Sequence, residues 1–194
     1  RIGTTSYVNA VTIDSTQLQL DATQVQLLLQ SHSADQQTSY VYNADGQLRF
    51  SYNQSGQIVE YRYNAANQQV AQIAYDRAVE LAAFADIEQV EAALATVYQH
   101  VPAEQNLSRR TYQVYDSSGR LVHVIDAAGQ VTTSHYDNAG NVVGTTQWAT
   151  AIDYNTQMSL AEVDTLLSQL NDSENRTSWQ VLDNAGRSIY SINA

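Results

Sequence analysis

The sequence predicts an α+β fold, mainly β: an antiparallel meander of β-hairpins with a short amphipathic helix inserted after every third turn. Three observations predict it. First, a corner made of an aromatic or aliphatic residue, then Asp or Asn, then Gly three positions later, returns at intervals of ten and eleven residues. Second, the residues between corners alternate apolar and polar, as Leu48, Phe50 and Tyr52 do, which is the period of a half-buried strand. Third, after every third corner comes a helix start signal followed by apolar residues at helical spacing.

The corners come in sets. Tyr42-Asn43 to Gly46, Tyr52-Asn53 to Gly56 and Tyr63-Asn64 to Asn67 form one set. Tyr115-Asp116 to Gly119, Ile125-Asp126 to Gly129 and Tyr136-Asp137 to Gly140 form the next. Leu182-Asp183 to Gly186 opens a third, and Ile192-Asn193 follows. Asp or Asn suits the first position of a type I turn, because its side chain accepts from the backbone two residues on. Gly three residues later takes the positive φ that closes the hairpin with a bulge. Asn67 stands where the other corners have Gly, and Asn is the next most tolerant residue of that conformation. The Tyr before a corner ends a strand, where an aromatic ring pairs across to its neighbours.

Each set ends on a strand that closes with an aromatic residue: Ile2 to Tyr7, Val70 to Tyr75, Val143 to Trp148. An apolar-acidic pair follows (Ile13-Asp14, Val79-Glu80, Ile152-Asp153), and then a helix start. Ser159 with Glu162 has the form of a capping box, with Met158 and Val163 as its hydrophobic staple. Asp86 with Gln89 and Asp21 with Gln24 hold the same places. Ile87, Val90, Leu94 and Val97 fall on one helical face, as do Leu160, Val163, Leu167 and Leu170. Such faces are expected to cover a sheet face or edge. The expected organisation is a single repeat array: residues 1–7 end a set, 8–37 are a helical insertion, 38–75 a set, 76–110 an insertion, 111–148 a set, 149–177 an insertion and 178–194 a partial set.

These motifs resemble the RHS, or YD-repeat, family. Tyr115-Asp116-Ser117-Ser118-Gly119-Arg120-Leu121, Tyr136-Asp137-Asn138-Ala139-Gly140-Asn141 and Asp183-Asn184-Ala185-Gly186-Arg187 carry the resemblance. One such motif is a weak signal; its recurrence in register is a strong one. Members are typically very large bacterial surface or secreted proteins, and related repeats occur in toxin-complex subunits and animal teneurins. The resemblance implies a long β-sheet strip spiralling into a shell, which in toxin members encloses a C-terminal effector. It also implies carbohydrate binding, proposed for some members. The sequence departs from the pattern in its helical insertions and in Asn at positions 43, 53 and 64. It departs also at Ile125, Ile192 and Leu182, which replace Tyr. No self-cleaving element is visible, and both a closing shell and a straighter rod stay open.

Composition narrows the functions. The 194 residues are 43% hydrophobic and 15% charged, enough for a packed core. Nine basic residues against twenty acidic ones give a net charge of −11, which repels nucleic acid and anionic membranes. No apolar run nears the roughly 18 residues of a membrane span. Cys is absent, so disulfides and thiolate metal sites are excluded. The chain opens at Arg1 and is expected to be a piece of something longer.

The search for chemistry yields no constellation. His32, His100, His123 and His135 lack ligand spacing. His123 takes the place of Phe50 on its strand and is expected to be a satisfied core or groove residue; His135 is expected on a polar face. Asn43 to Gly46 faintly matches a calcium loop but lacks the closing Glu. Glu80 with Asp86, and Glu88 with Glu91, read as solvated acids. Asn53, Asn106, Asn171 and Asn175 begin glycosylation-like triplets of the kind chance supplies. Thirteen Tyr and two Trp offer stacking surfaces for sugars or, more plainly, cross-strand packing. Trp148 and Trp179 are expected to pack against the insertions.

The expected function is a non-catalytic structural module of a giant bacterial secreted or surface protein, part of a β-sheet shell or stalk. The alternative is a carbohydrate- or cell-surface-binding adhesin segment. No catalytic, cofactor or metal residue is assigned, and ligand-binding residues stay unassigned. The expected partner is the remainder of the same polypeptide, with glycans or a cell surface under the alternative, and neither nucleic acid nor membrane insertion.

Overall fold

The computed structural model describes residues 3–7, 23, 25, 29, 35–82, 84–101, 106–154, 158–170, 173–183 and 185–193. The predicted cap at Asp21 and Gln24, His32 and Asn171 lie outside them. The chain divides into two compact units, Arg1–Val59 with Tyr75–Asn106, and Glu60–Ala74 with Leu107–Ala194.

The fold is mainly β and antiparallel, as the corner spacing predicts. In the first unit β1 (Gly3–Ser6), β2 (Gln36–Tyr42) and β3 (Leu48–Asn53) pair in chain order, with Gly3 opposite Ser39 and Val41 opposite Phe50. The strand β4 (Ile58–Tyr63) begins in this unit and ends in the next. In the second unit the order runs β5 (Gln69–Ala74), β6 (Arg109–Tyr115), β7 (Leu121–Ile125), β8 (Val131–Tyr136), β9 (Val142–Gln147), β10 (Arg176–Leu182) and β11 (Ser188–Asn193). Its register sets Val114 opposite His123, His123 opposite Thr133, Thr133 opposite Thr146, and Gly144 opposite Trp179.

The corners are type I turns closed by a left-handed residue. At Asp116 the main chain closes with Gly119 N–H donating to the Asp116 carbonyl at 3.0 Å and Asp116 N–H to the Arg120 carbonyl at 3.0 Å. Gly46, Gly56, Gly119, Gly129, Gly140 and Gly186 have φ between 73° and 87°, and Asn67 has 62°. The pairing slips at Val41/Tyr42, Val114/Tyr115, His135/Tyr136 and Val181/Leu182, the bulge such a turn demands. As expected, the Asn or Asp side chain accepts from the backbone two residues on, as at Ser118 (2.9 Å).

A second layer escaped the sequence reading. The same oxygen also accepts from the backbone four residues on, and at every corner but Asp126 that residue's side chain clamps the other end of the acid or amide. Asn pairs with Gln (Asn43–Gln47 2.6 Å, Asn53–Gln57 2.9 Å, Asn64–Gln68 2.9 Å). Asp pairs with a donor: Arg120 Nε to Asp116 at 2.7 Å, Asn141 to Asp137 at 2.9 Å, Arg187 Nε to Asp183 at 2.8 Å. An amide offers both a donor and an acceptor to a second amide, whereas a carboxylate only accepts.

In the first unit α1 spans Ile87–Tyr98, and in the second α2 spans Leu160–Ser168. Each starts on the predicted capping box, Asp86 with Gln89 and Ser159 with Glu162. Each buries the predicted face. Val90 and Leu94 join Val41, Phe50, Tyr52, Ile58 and Val79 in one core; Val163 and Leu167 join Val114, Ile125, Val131 and Ile152 in the other. Met158 packs on the second core, where the staple requires it. These two insertions therefore cover a sheet face, and each fully buried aliphatic side chain contributes about 1.5–3 kcal/mol.

Before each helix runs a strap, described over residues 76–82 and 84–86 in the first unit and 149–154 and 158–159 in the second. It folds back onto the middle corner of the preceding set. Val79 N–H donates to the Gly56 carbonyl and Ile152 N–H to the Gly129 carbonyl, both at 2.9 Å. Both glycines face strap backbone that leaves no room for a Cβ. In the first unit Tyr52 locks the strap further: its hydroxyl donates to the Ala82 carbonyl (3.0 Å) and accepts from Ala85 N–H (2.7 Å).

Candidate functional site

The strap and the middle corner of the second unit enclose a groove of about 280 Å³. Ser108 and Arg110 enter it from β6 and its approach, Asp126 from the corner, and Asp153 and Tyr154 from the strap. Tyr112 completes one wall, its ring 4.7 Å from that of Tyr154. Burial raises the Tyr154 phenol above its ordinary pKa, with the neighbouring Tyr112 adding to the effect, so Tyr154 stays a neutral hydrogen-bonding group at physiological pH. Asp126 accepts from Ala128 N–H (2.8 Å) and Gln130 N–H (3.0 Å), with no side-chain clamp of the kind found at Asp116. The groove thus presents two carboxylates and a guanidinium beside an aromatic wall. That set can hydrogen-bond a polyol and stack on its apolar face. The corresponding groove of the first unit is lined by Asn53, Gly56, Val79, Glu80 and Leu81, and lacks both the guanidinium and the rings.

The sequence reading missed this groove. Asp126 was legible only as a turn residue and Ile152-Asp153 only as part of an insertion. Nothing in their spacing signals that strap and corner meet, because the contact runs through backbone groups.

His123 is buried at the centre of the second unit. Its Nε2 lies 2.9 Å from Asp164 Oδ1 on α2, and its Nδ1 lies 2.9 Å from Thr133 Oγ1 on β8. Trp148 Nε1 donates to that same Thr133 oxygen at 2.8 Å. A carboxylate only accepts, so the neutral imidazole carries its proton on Nε2 toward Asp164, and its Nδ1 accepts from the Thr133 hydroxyl. Burial is the largest influence on the ring and lowers its pKa; the Asp164 carboxylate works against that. A hydroxyl, an imidazole and a carboxylate in a row have the order of a hydrolytic triad. Here Thr133 and His123 are sealed under α2, and the hydroxyl oxygen is already engaged by Trp148. The row ties the helix to the sheet.

The remaining candidates fall on the scaffold. His135 accepts or donates at Thr146 Oγ1 (2.8 Å) and stacks on Trp179 with ring centroids 4.8 Å apart. His100 lies exposed beyond α1. Asn43 spends its side-chain oxygen on Asp45 N–H and Gln47 N–H. Asp86 caps α1, and Glu91 pairs with Arg49 at 3.5 Å. Glu80 and Glu88 are exposed. Among the described residues no three His, Asp or Glu side chains converge as metal ligands, and no helix is long and apolar enough to cross a membrane. Trp148 packs on the second core as expected. Trp179 does not pack against an insertion: it lies over Gly144 and is 40% exposed, because no strap or helix among the described residues covers β10.

The comparisons with known proteins bear on the same residues. The family model described as RHS Repeat matches residues 115–152. No curated protein matches the sequence. Among solved structures, the chain is similar to a chain of the crystal structure of TcdB2-TccC3-Cdc42, at 15% identity and a TM-score of 0.28, over 100% of this chain and 11% of that one. It is similar also to a chain of the Photorhabdus luminescens Tc holotoxin pore with a mutated TccC3, at 15% identity and a TM-score of 0.30, over 100% and 10%. The chain thus spans about a tenth of the length of those chains. The matched segment holds the corners at Asp116, Asp126 and Asp137, the strands β7 to β9 and the strap as far as Ile152: residues 115–152 of this chain match the RHS Repeat family model.

Proposed function

We propose that the chain is a non-catalytic structural module of a large, toxin-related bacterial protein of the RHS/YD-repeat kind, secreted or displayed at the surface, and that it contributes a stretch of β-sheet wall or stalk. The repeating units of this reading are the sets 38–75 and 111–148, each with the insertion that follows it. One observation carries the reading: the polar side chains that recur are spent on the fold itself. Each corner acid or amide is engaged by the backbone of its own turn, and His123 is engaged by Asp164 of the helix that covers it and by Thr133. What repeats is shape, and the residues lining the strap groove change from one unit to the next.

A module whose role is shape tolerates the exchange of one set for another. Replacing 111–148 by a second copy of 38–75 in the parent polypeptide is expected to preserve folding, export and any activity carried elsewhere in that polypeptide. A folded, exported exchange variant without that activity would overturn the reading.

The groove bounded by Arg110, Asp126, Asp153 and Tyr154 supports a second reading, a glycan-binding segment. Titration with millimolar sugars followed by tyrosine and tryptophan fluorescence separates the two. A saturable response abolished by Asp153→Ala favours the adhesin; a flat response favours the scaffold.

A further inference from the structure

The geometry points to the β10–β11 face as a docking surface for one more helical insertion of the repeat's own pattern: a strap, a capping box, Val at the next position and Leu four residues after that. Trp179, Val181, Tyr190 and Ile192 share this face, paired across the strands as Trp179 with Ile192 and Val181 with Tyr190. In the second unit the same places are held by Tyr112, Val114, His123 and Ile125, and in the first by Ser39, Val41, Phe50 and Tyr52. There the strap and helix cover them.

The burial follows the cover. Val41 is 7% exposed and Val114 is 6% exposed, whereas Val181, the same residue at the same corner, is 44% exposed. Phe50 and His123 are buried at 1% and 2%, whereas Tyr190 is 68% exposed. Four large apolar side chains held side by side in water mark an interaction surface. The face is also organised in advance. Gly144 has no side chain to obstruct Trp179, and the indole is already stacked on His135.

The occupant follows from the two covered faces. Tyr112 packs on Tyr154 of its strap, and Val114 and Ile125 pack with Ile152, Val163 and Leu167. The matching residues of the first unit are Val79, Val90 and Leu94. A segment of that pattern, supplied by a further unit of the same repeat type, presents an apolar stripe of matching length. This inference rests on the reading of the chain as a repeat module.

The test extends the chain after Ala194 by a copy of residues 128–177, which continues the corner begun at Ile192-Asn193 in register. Tryptophans other than Trp179 are replaced by Phe, and acrylamide quenching of Trp179 is measured. Quenching is expected to fall severalfold in the extended chain and to return when the copied Val163 and Leu167 are both Asp. Equal quenching with the intact and the Asp-bearing extension overturns the inference. If the extension prevents folding, a 149–177 peptide is titrated against the unextended chain with its Asp-bearing form as control, and no difference in Trp179 quenching likewise overturns it. A dimer of the unextended chain that Val181→Asp dissociates would assign the face to a second copy instead. Any of these negative results alongside a tolerated set exchange refutes the docking face and leaves the module reading standing.

Discussion

A side chain at Gly129 would collide with the carbonyl oxygen of Ile152, whereas one at Gly140 would meet nothing within 4 Å. Both glycines have positive φ, 80° and 87°, so both alanine variants carry the left-handed penalty of about 1–2 kcal/mol. Gly129→Ala adds overpacking of about 1–3 kcal/mol and disturbs the Ile152 N–H bond that holds the strap. Urea melts are expected to rank Gly140→Ala well above Gly129→Ala in stability. Equal losses would mean that the strap does not press on the middle corner.

The acidic corners make the second unit sensitive to acid. Asp116 is held below the usual carboxylate range, first by the Arg120 backbone N–H and then by the Arg120 guanidinium and the Ser118 N–H. Asp137 and Asp183 are lowered in the same way by Asn141 and Arg187. A carboxylate depressed in the folded state stabilises fully above its unfolded pKa of about 3.9 and loses that contribution as pH falls through the folded value. Replacing Asp116 and Arg120 by Asn and Gln copies the Asn43–Gln47 corner, which has no carboxylate at that position. The double variant is expected to match the parent near neutral pH and to show a shallower decline below about pH 4. An unchanged acid limb in pH-dependent melts would refute this account of the corner.

His123 contributes at milder pH. Its pKa is lowered by burial, so the unfolded chain takes up the proton first as pH falls. The stability it supports is complete above about 6.5 and declines as pH drops from there toward the folded value. Protonation at Nδ1 would also force the Thr133 hydroxyl to turn its own proton away from the ring. The charged or titratable groups facing the ring are Asp164, which resists the shift, and His135, which adds to it. His123→Phe, the residue found at the same place in the first unit, is expected to flatten the stability profile between about pH 7 and pH 5. A slope equal to the parent's would remove His123 as its source.

The helices are held by packing. Leu167→Ala opens a void beneath α2, with Leu167 only 2% exposed, and is expected to cost about 2–5 kcal/mol in a melt of the second unit. Hydrogen exchange should show α2 opening while the corner at Asp137 stays protected, since that corner is closed by its own backbone and side-chain bonds.

Much of this protein was legible in its sequence. The corners, the positive-φ residues, the ends of the strands and both capping boxes are local events, set by bonds among residues at most four apart, and local chemistry can be read along a chain. The buried faces of α1 and α2 follow from helical spacing alone. Three features were decided only by the tertiary structure. The pressure of the straps on Gly56 and Gly129 passes through backbone groups, which every residue possesses and no motif reveals. The joining of His123, Thr133, Trp148 and Asp164 spans four elements whose distances depend on strand register. The exposure of Trp179 could not be told from the partial burial of Tyr112 by residue type, because both are large aromatic residues at equivalent positions: burial belongs to what lies above a side chain, and that is settled by the packing of a distant segment.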